Sequence, residues 1–287
     1  MRVTDWNVVT AAETELLDEV ALTFGVFDGV HRGHIALLEM LKKGATGARP
    51  VVFTFRENPQ SLLRPVTYPG DVLTPRQKLE RLEREGVDTV IVADFDESFR
   101  RMTGTDFLER LTEALHIEYA AVGPDFHCGR NMDTDARGVA RYLTARGIRV
   151  DIAGPVYDNG SPVSSTRIRR AVAAGDLLAA RALLGGDFVL DLRDVRIDTN
   201  YHELLIPRTL LRQVVPLSGT FGGTLHGPQG SVEGVVHIDP EYVRVVPMTG
   251  DGMKYGNYDI GEITFTGSAG AVSKEGERHA AYERGKS

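Results

Sequence analysis

Two histidines lie three residues apart in the stretch GVFDGVHRGH, residues 25–34, which follows an apolar run typical of a buried strand. Its glycines allow a tight turn and a close approach of the backbone to a ligand. The N–H groups at the start of the helix that should follow favour an anion, and His31 and His34 would add two donors there. A metal site needs at least a third ligand, which Asp28 could supply only in part. An ordinary strand–turn–helix with surface histidines is the alternative without a function.

A second stretch, SSTRIRR at residues 164–170, is followed by the helical run AVAAG. Ser164 or Ser165 is a typical N-cap, which puts the arginines in the first helical turns, where cations oppose the helix dipole. A bound polyphosphate would reverse this effect, because hydroxyl, N–H and guanidinium groups could converge on it. The alternative is a solvated basic face whose arginines pair with acids elsewhere, a description that suits Arg167 and Arg170.

The elements that must position these two stretches alternate between short apolar runs and longer amphipathic ones. We predict strands at 21–27, 50–55, 89–95, 119–123 and 148–156, and helices at 35–43, 75–86 and 107–115, with another ending near residue 146. Gly44 is interpreted as the stop of the first helix, and Asp176 as the cap of a later short one. This alternation predicts an α/β fold with a parallel sheet covered on both faces, which binds ligands at the carboxyl ends of its strands.

After about Asp187 the pattern changes, and glycines separate short β-rich runs such as GVVHI at 234–238. This pattern predicts a second, smaller all-β domain, a barrel or a sandwich. The small, polar residues from Gly267 onward predict a disordered tail. The expected domains are residues 1–186, residues 187–266 and the tail 267–287.

The composition excludes several classes of protein. With a net charge of -7, nonspecific attraction to nucleic acid or to anionic lipid is not expected. The single cysteine, Cys128, rules out an internal disulfide framework and fits a reducing compartment. The start of the chain is acidic, unlike a signal peptide, and no stretch approaches the roughly 18 apolar residues of a membrane span. We therefore expect a cytoplasmic protein with no nucleic-acid or membrane partner and no evident obligate protein partner.

Five blocks of the sequence, taken in order, resemble a known family. They are FGVFDGVHRGHIALL, VVFTFRENP, LTPRQKLERLEREGVD, VGPDFHCGR and VSSTRIRRAVAAGDLLAARALLG. The first contains the HxGH signature of the nucleotidylyltransferase superfamily, and the last resembles its second phosphate-binding signature. Together they resemble the adenylyltransferase module of bacterial FAD synthetases over roughly residues 20–190. The resemblance implies a Rossmann-like sheet that transfers AMP from ATP to FMN, giving FAD and pyrophosphate, with Mg²⁺ held through the ATP phosphates.

The resemblance also implies roles for individual residues on the ATP side. His31 and His34 would donate hydrogen bonds to the ATP phosphates in the transition state. The β- and γ-phosphates would be held by Ser165, Thr166 and Arg169. The nucleotide pocket would be shaped by Gly25, Phe27, Asp28 and Gly33.

The flavin side of the resemblance contains two departures. The block GPDFHCG usually carries a second aromatic residue where this chain has Cys128, and the block TFRENP normally carries two prolines, of which Glu57 replaces the first. The flavin-side residues implied are Asn58, Pro59, Asp125 and Phe126. Asp125 would orient the flavin phosphate or magnesium, and a turn aspartate after a strand is the equal alternative.

In many relatives a riboflavin kinase barrel follows, marked by a Pro-Thr-Ala-Asn motif. None of the 13 prolines here is followed by threonine, and Asp198-Thr199-Asn200 is at most a faint echo of the motif. We therefore predict a degenerate riboflavin-kinase-like barrel at 187–266 without phosphorylating activity.

Three other functions remain open from the sequence. The chain could be a bifunctional kinase and synthetase with a divergent kinase site, or a non-catalytic flavin- or nucleotide-binding protein. It could also transfer an adenylyl group to another phosphate, such as nicotinamide mononucleotide or phosphopantetheine. Intact histidines and an intact SSTRIR block argue against an inert protein, and the flavin-family blocks argue against another acceptor.

Overall fold

The computed structural model describes residues 1–10, 19–199, 203–248 and 260–268. The chain divides into two compact units: unit 1 comprises Met1–Tyr68 and Pro75–Ser164, and unit 2 comprises Pro69–Thr74 and Ser165–Ser287. The domain bounds expected from the sequence stay a prediction. Most of the expected tail, from residue 269 onward, lies outside the described residues. No helix in the described part of the chain is long and apolar enough to cross a membrane.

Unit 1 contains ten short or medium strands and seven helices within its described residues. The strands are β1 Arg2–Asp5, β2 Val20–Phe24, β3 Arg49–Phe55, β4 Thr89–Ala93, β5 Ile117–Val122, β6 His127–Cys128, β7 Thr134–Asp135, β8 Arg149–Ile152, β9 Tyr157–Asp158 and β10 Ser161–Pro162. The helices are α1 Trp6–Thr10, α2 Arg32–Gly44, α3 Pro59–Leu63, α4 Pro75–Arg84, α5 Glu97–Arg101, α6 Gly104–Ala114 and α7 Ala136–Thr144, with a 3₁₀ turn at Arg130–Met132.

The main sheet of unit 1 is parallel and has the strand order β1-β4-β3-β2-β5-β8. All five residues of β2 and all five of β4 are buried. Because alternate residues of a strand face opposite sides of its sheet, complete burial means that both faces are covered. The predicted α/β architecture is therefore confirmed.

The carboxyl edge of the sheet contains a topological switch point. From β2 the chain runs outward through β3 to β4, then returns to place β5 on the other side of β2. The loops that leave the carboxyl ends of β2 and β5, at residues 25–31 and 123–126, therefore flank the point where the strand order reverses. Open α/β sheets bind ligands at such points.

The core beside this edge is aromatic. Trp6, on α1, meets Phe53 edge-to-face with ring centroids 5.3 Å apart, and Phe53 meets Phe107 at 5.0 Å. All three side chains are buried. Neither β1 nor α1 was predicted from the sequence, although β1 forms one edge of the sheet and α1 covers part of it.

Helix α2 ends at Gly44, as predicted, but for a different reason. The residue that follows, Ala45, is right-handed helical with φ −67 and ψ −22, so the helix lacks a left-handed glycine cap. A Cβ atom on Gly44 would lie 2.2 Å from the buried ring of Tyr119. Glycine is required here because α2 packs closely on β5.

Unit 2 consists of two helices and an antiparallel sheet in its described residues. Its elements are α8 Ser165–Ala173, α9 Leu177–Leu184, β11 Val189–Asp191, β12 Asp198–Thr199, β13 Leu204–Pro207, a 3₁₀ turn at Arg208–Leu210, β14 Gly219–Gly227, β15 Gly230–Ile238, β16 Tyr242–Pro247 and β17 Glu262–Ser268. The sheet order is β11-β17-β14-β15-β16-β13-β12. Asp176 caps α9 by accepting from the Ala179 N–H at 3.0 Å, as predicted. The expected change to β structure in the C-terminal part is confirmed.

Candidate active site

The loop between β2 and α2, residues 25–31, carries the first histidine and is held by strand β3. We call it the histidine loop. The Gly25 N–H donates to the Phe53 carbonyl at 3.1 Å, and the hydroxyl of Thr54 donates to the Val26 carbonyl at 3.0 Å. The buried ammonium of Lys78 in turn donates to Thr54 Oγ1 at 3.4 Å and to the Phe55 carbonyl at 2.5 Å. The loop is thus tied to the carboxyl end of the neighbouring strand.

The backbone of the histidine loop is strained. Phe27, Gly29 and Val30 have φ angles of 52, 89 and 38. Glycine adopts such an angle freely, but at Phe27 and at the β-branched Val30 it costs about 1–3 kcal/mol each. The side chains of Phe27 and Val30 are fully buried, and the Val30 N–H donates to the Phe27 carbonyl at 3.2 Å. Packing therefore stabilises a loop conformation that the same residues would rarely adopt in an unfolded chain.

His31 caps helix α2. Its backbone is extended, with φ −74 and ψ 174, and its Nδ1 accepts from the His34 N–H at 3.4 Å. The helix therefore begins at Arg32, three residues before the predicted span 35–43. Because Nδ1 acts as an acceptor, a neutral His31 carries its ring proton on Nε2. A Cβ on Gly33 would lie 3.1 Å from the His31 ring, so glycine leaves room for that ring.

The two histidine rings are stacked and neutral at pH 7. Their centroids lie 3.7 Å apart with an interplanar angle of 13°, and Phe27 packs against His34 at 5.0 Å. Burial lowers the pKa of His31 to about 4, although the nearby Asp125 carboxylate acts to raise it. Burial, together with the adjacent His31, also lowers the pKa of His34 well below 6.5. The pair can donate hydrogen bonds from uncharged rings, but it supplies no net positive charge.

One atom of this pair lacks a hydrogen-bond partner. The Nδ1 of His34 is buried and has no partner among the residues that the structure describes. A buried polar atom without a partner costs about 1–3 kcal/mol, and such atoms are rare unless a ligand or water satisfies them. In the first turn of α2, His34 therefore has a ring nitrogen that only a ligand or a water could satisfy.

The structure joins two residues that the sequence placed on opposite sides of the site. Asn58, predicted on the flavin side, donates from Nδ2 to Oδ2 of Asp28, predicted on the nucleotide side, at 3.5 Å. Its Oδ1 accepts from the Gln60 N–H at 3.1 Å and so caps α3, in which Pro59 is the first residue. Asp28 and Asn58 are both buried. Their link fixes the start of α3 against the histidine loop.

The loop after β5 carries the remaining predicted residues of unit 1. The Phe126 N–H donates to the Gly123 carbonyl at 3.2 Å, and the Phe126 ring packs on Phe24 with centroids 4.7 Å apart. The exposed Asp125 lies close enough for its carboxylate to act on the pKa of His31. Burial raises the pKa of the Cys128 thiol to about 12, so this residue is not a nucleophile near neutral pH.

The second predicted group belongs to unit 2. Helix α8 begins at Ser165, so Ser165 and Thr166 lie in its first turn. Arg169 is half-buried, and its Nε donates to the Gly70 carbonyl at 2.9 Å. This bond constrains the orientation of the guanidinium group.

Sequence reasoning missed three residues that support these groups. Thr54 and Lys78 both lie in blocks that resemble the family, but nothing in their spacing indicates that they hold the histidine loop. Gly70 lies about a hundred residues from the arginine that it orients, and no local pattern links the two.

A sequence profile described as FAD synthetase matches residues 13–167. A bifunctional riboflavin kinase/FMN adenylyltransferase of Pseudomonas fluorescens is 34% identical over 205 residues, which are 69% of this chain and 66% of that protein. The protein of the same description from Escherichia coli strain K12 is 34% identical over 206 residues, 70% of this chain and 66% of that protein. The chain therefore aligns with just under two thirds of the length of these relatives.

The fold is also found in a solved structure. A crystal structure described as a macrolide-efflux protein from Streptococcus pneumoniae superposes with a TM-score of 0.79, covering 99% of this chain and 98% of that one. The two sequences are 23% identical, so this similarity shows a common fold and nothing about activity.

Proposed function

The chain belongs to the FAD synthetase family, and from this premise we propose that it transfers the adenylyl group of ATP to FMN, forming FAD and pyrophosphate. The observation that carries the proposal is the stacked, neutral histidine pair at the switch point of the sheet, in which the buried Nδ1 of His34 has no partner among the described residues. This arrangement suits an anionic ligand that accepts hydrogen bonds from enclosed donors.

The proposed reaction needs no nucleophile from the protein. The phosphate of FMN is a monoester whose second pKa lies near 6, so at neutral pH one of its oxygens is ready to attack. That oxygen forms a bond to the α-phosphorus of ATP, while the bond from the α-phosphorus to the bridging oxygen breaks and pyrophosphate leaves. The protein has to hold the two phosphates in line and to stabilise the charge that develops on the transferred group.

The histidines would act as neutral donors. The Nε2–H of His31 and a ring N–H of His34 would donate to phosphate oxygens as negative charge builds up on them. Neutral donors in an enclosed site are already oriented before the reaction, since the buried His31 ring stacks on the ring of His34. Gly25, Phe27, Asp28 and Gly33 would keep the backbone and rings of the histidine loop in this geometry.

The resemblance to the family assigns the charged contacts to residues at the start of α8. Ser165 and Thr166 would donate from the first turn of α8, and Arg169 from its terminal guanidinium nitrogens, to the β- and γ-phosphates that become the leaving group. Mg²⁺ would arrive as part of the MgATP substrate. In the described part of the chain, no group of three His, Cys, Asp or Glu side chains is arranged to hold a metal ion. Mg²⁺ is commonly held by substrate phosphates with one or two carboxylates, a role open to Asp125.

The flavin side would be shaped by Asn58, Pro59, Asp125 and Phe126. The amide of Asn58 already holds Asp28 and caps α3, so its contribution would be to position the loop. Phe126 packs on the core through Phe24, so its backbone and ring edge are the parts that a flavin could meet.

We propose that riboflavin kinase activity is absent, although the curated relatives are described as bifunctional. The support for this is that no proline of the chain is followed by threonine, so the Pro-Thr pair of the kinase motif is missing. Asn200, the last residue of the faint echo of the kinase motif, lies outside the described residues. The alternative remains a bifunctional enzyme with a divergent kinase site.

One assay tests the function. The purified protein is incubated with MgATP and either FMN or riboflavin, and the flavins are separated by chromatography. We expect FAD from FMN and no FMN or FAD from riboflavin. Formation of FMN from riboflavin would support the bifunctional alternative. MgATP binding without any flavin product would support a non-catalytic protein, and parallel reactions with nicotinamide mononucleotide and phosphopantetheine test the other acceptors.

A further inference from the structure

A short segment of unit 2, Pro69–Thr74, is held against the chain that precedes β14. The Asp71 N–H donates to the Arg212 carbonyl at 2.9 Å, and the Val214 N–H donates to the Asp71 carbonyl at 2.8 Å. These bonds place Asp71 opposite Gln213 in a parallel bridge. We call Pro69–Thr74 the strut segment.

The side chain of Gln213 links the strut segment to the sheet of unit 2. It is buried, and its Nε2 donates to the carbonyls of Val72 and Val189, both at 2.9 Å. Its Oε1 accepts from the Asp191 N–H at 2.7 Å. Val189 and Asp191 are the two ends of β11, the edge strand of the sheet. One amide thus makes one hydrogen bond to the strut segment and two to that strand.

The far end of the strut segment is attached to the same strand. The hydroxyl of Thr74 donates to Oδ2 of Asp191 at 2.7 Å, and Asp191 also pairs with Arg193 at 2.8 Å. Asp191 is buried. Charge-assisted hydrogen bonds of this kind are short and strong, so the segment is held at both ends.

Gly70 connects the strut segment to Arg169 through its carbonyl. Its φ is 110, and a Cβ atom there would lie 2.6 Å from the Val214 nitrogen and 2.7 Å from the Gln213 carbonyl carbon. The backbone of Gly70 therefore rests directly on the backbone of residues 213–214. The carbonyl whose position is set in this way accepts from Arg169 Nε at 2.9 Å.

We propose that the C-terminal sheet serves adenylyl transfer by orienting Arg169 through the strut segment, with Gln213 and Gly70 as positioning residues. This inference rests on the proposed contact of Arg169 with the ATP phosphates. It assigns a role to a domain in which the motif of the kinase is missing. The sheet holds the carbonyl of Gly70 in place through the strut segment, and this carbonyl orients the guanidinium group of Arg169 that donates to it.

The test uses Gln213→Met in the full chain, which keeps the length of the side chain and removes all three hydrogen bonds. Gln229→Met is the matched control, since Gln229 is exposed in the turn between β14 and β15. We expect Gln213→Met to raise the KM for MgATP about tenfold, with the KM for FMN within about twofold of the wild type. The control should leave both KM values unchanged.

A double-mutant cycle separates positioning from general damage. In an Arg169→Ala background, Gln213→Met should have no further effect on the KM for MgATP, because the group that it orients is gone. An equal loss in both backgrounds, or an equal rise of both KM values, would overturn the proposal. If Gln213→Met does not fold, as judged by circular dichroism, Gln213→Asn keeps an amide there and replaces it in the cycle.

The same cycle distinguishes a failure of this proposal from a failure of the proposed function. If the wild type forms FAD and the Gln213 effects are additive with those of Arg169→Ala, adenylyl transfer stands and the positioning role falls. If the wild type forms no FAD, the proposed function falls, and the cycle is measured on the Kd for MgATP by calorimetry. Non-additive Kd values then support the orientation of Arg169, and additive ones overturn it.

Discussion

The histidine loop and the start of α8 are both proposed to meet phosphate, yet they prepare for it by different physical means. The histidines are enclosed, stacked and uncharged, because burial lowers their pKa values. Arg169 is half-buried, and its Nε donates to the Gly70 carbonyl, which helps to orient the guanidinium group. A neutral donor acts strongly only where water is excluded, whereas a guanidinium needs mainly the correct direction.

This difference predicts how the activity and stability of the protein respond to pH and to mutation. The histidine loop depends on a strained backbone, on burial and on one protonation state. The arginine depends on the strut segment, which lies far from it in the sequence. Each of the following predictions changes one of these properties and leaves the other region untouched.

The largest expected effect is on catalysis by the histidine pair. His31→Asn keeps an oxygen that can accept from the His34 N–H, but it removes the Nε2–H donor. We expect kcat for FAD formation to fall about 10²–10³-fold, as it does when a preorganised donor is lost, with a smaller change in unfolding free energy. Steady-state kinetics with FMN and MgATP measure this.

The control for that variant is His116→Asn, since His116 is exposed and lies outside the site. Its kcat should equal that of the wild type. A His31→Asn enzyme with wild-type kcat would show that the ring of His31 caps α2 and does nothing for the reaction.

The next effect is on stability in acid. His31 has a pKa of about 4 when folded and 6.5 when unfolded, so between these values the unfolded state binds more protons. The stabilisation is complete above pH 6.5 and is lost as pH falls toward 4. This one group should lower the unfolding free energy by about 3 kcal/mol over that window. Urea unfolding of the wild type and of His31→Asn at pH 7.5 and 4.5 measures the difference, and equal pH dependence in both would contradict it.

A smaller effect is expected at the arginine. Arg169→Ala should raise the KM for MgATP about ten- to a hundredfold, since a hydrogen bond from a charged group contributes about 1.5–3 kcal/mol. Because a guanidinium does not titrate, the ratio to wild type should be constant from pH 6 to 9. Arg170→Ala, on the same helix and exposed, serves as the control and should bind MgATP normally. A pH-dependent ratio would mean that Arg169 acts through a titrating partner.

The smallest effect is expected at the link between the histidine loop and the start of α3. Asn58→Ala removes the cap of α3 and the bond to Asp28, and should lower the unfolding free energy by about 1 kcal/mol. Thermal unfolding at neutral pH, with the exposed Asn7→Ala as the control, measures this loss. An unchanged melting temperature would mean that the Asp28–Asn58 bond at 3.5 Å contributes nothing.

The fold was predictable where apolar patterns are local. The runs that became β2, β3, β4 and β5 consist mainly of apolar residues, as expected for strands that are buried on both faces of a parallel sheet. Strand β1, with the sequence RVTD, has no such run, and α1 has only five residues. Their places depend on pairing with β4 and on the burial of Trp6, which are contacts with residues far along the chain.

The site was predictable in its residue types and less so in its details. The predicted helix 35–43 starts three residues too late, because His31 takes the capping role that Ser, Thr, Asp or Asn usually fills. Asp28 and Asn58 were assigned to different substrates, although the fold bonds them to each other. Thr54 and Lys78 went unnoticed because they act through the backbone of another element.

The sequence by itself determined the chemistry open to this protein. Glycine, histidine, hydroxyl and guanidinium groups at two helix starts suit phosphate, and these are properties of the residues and of their immediate neighbours. Only the tertiary structure decided that the histidines are neutral and in which direction Arg169 points. Charge state follows from burial and orientation follows from a distant carbonyl, and both depend on segments that meet only when the chain has folded.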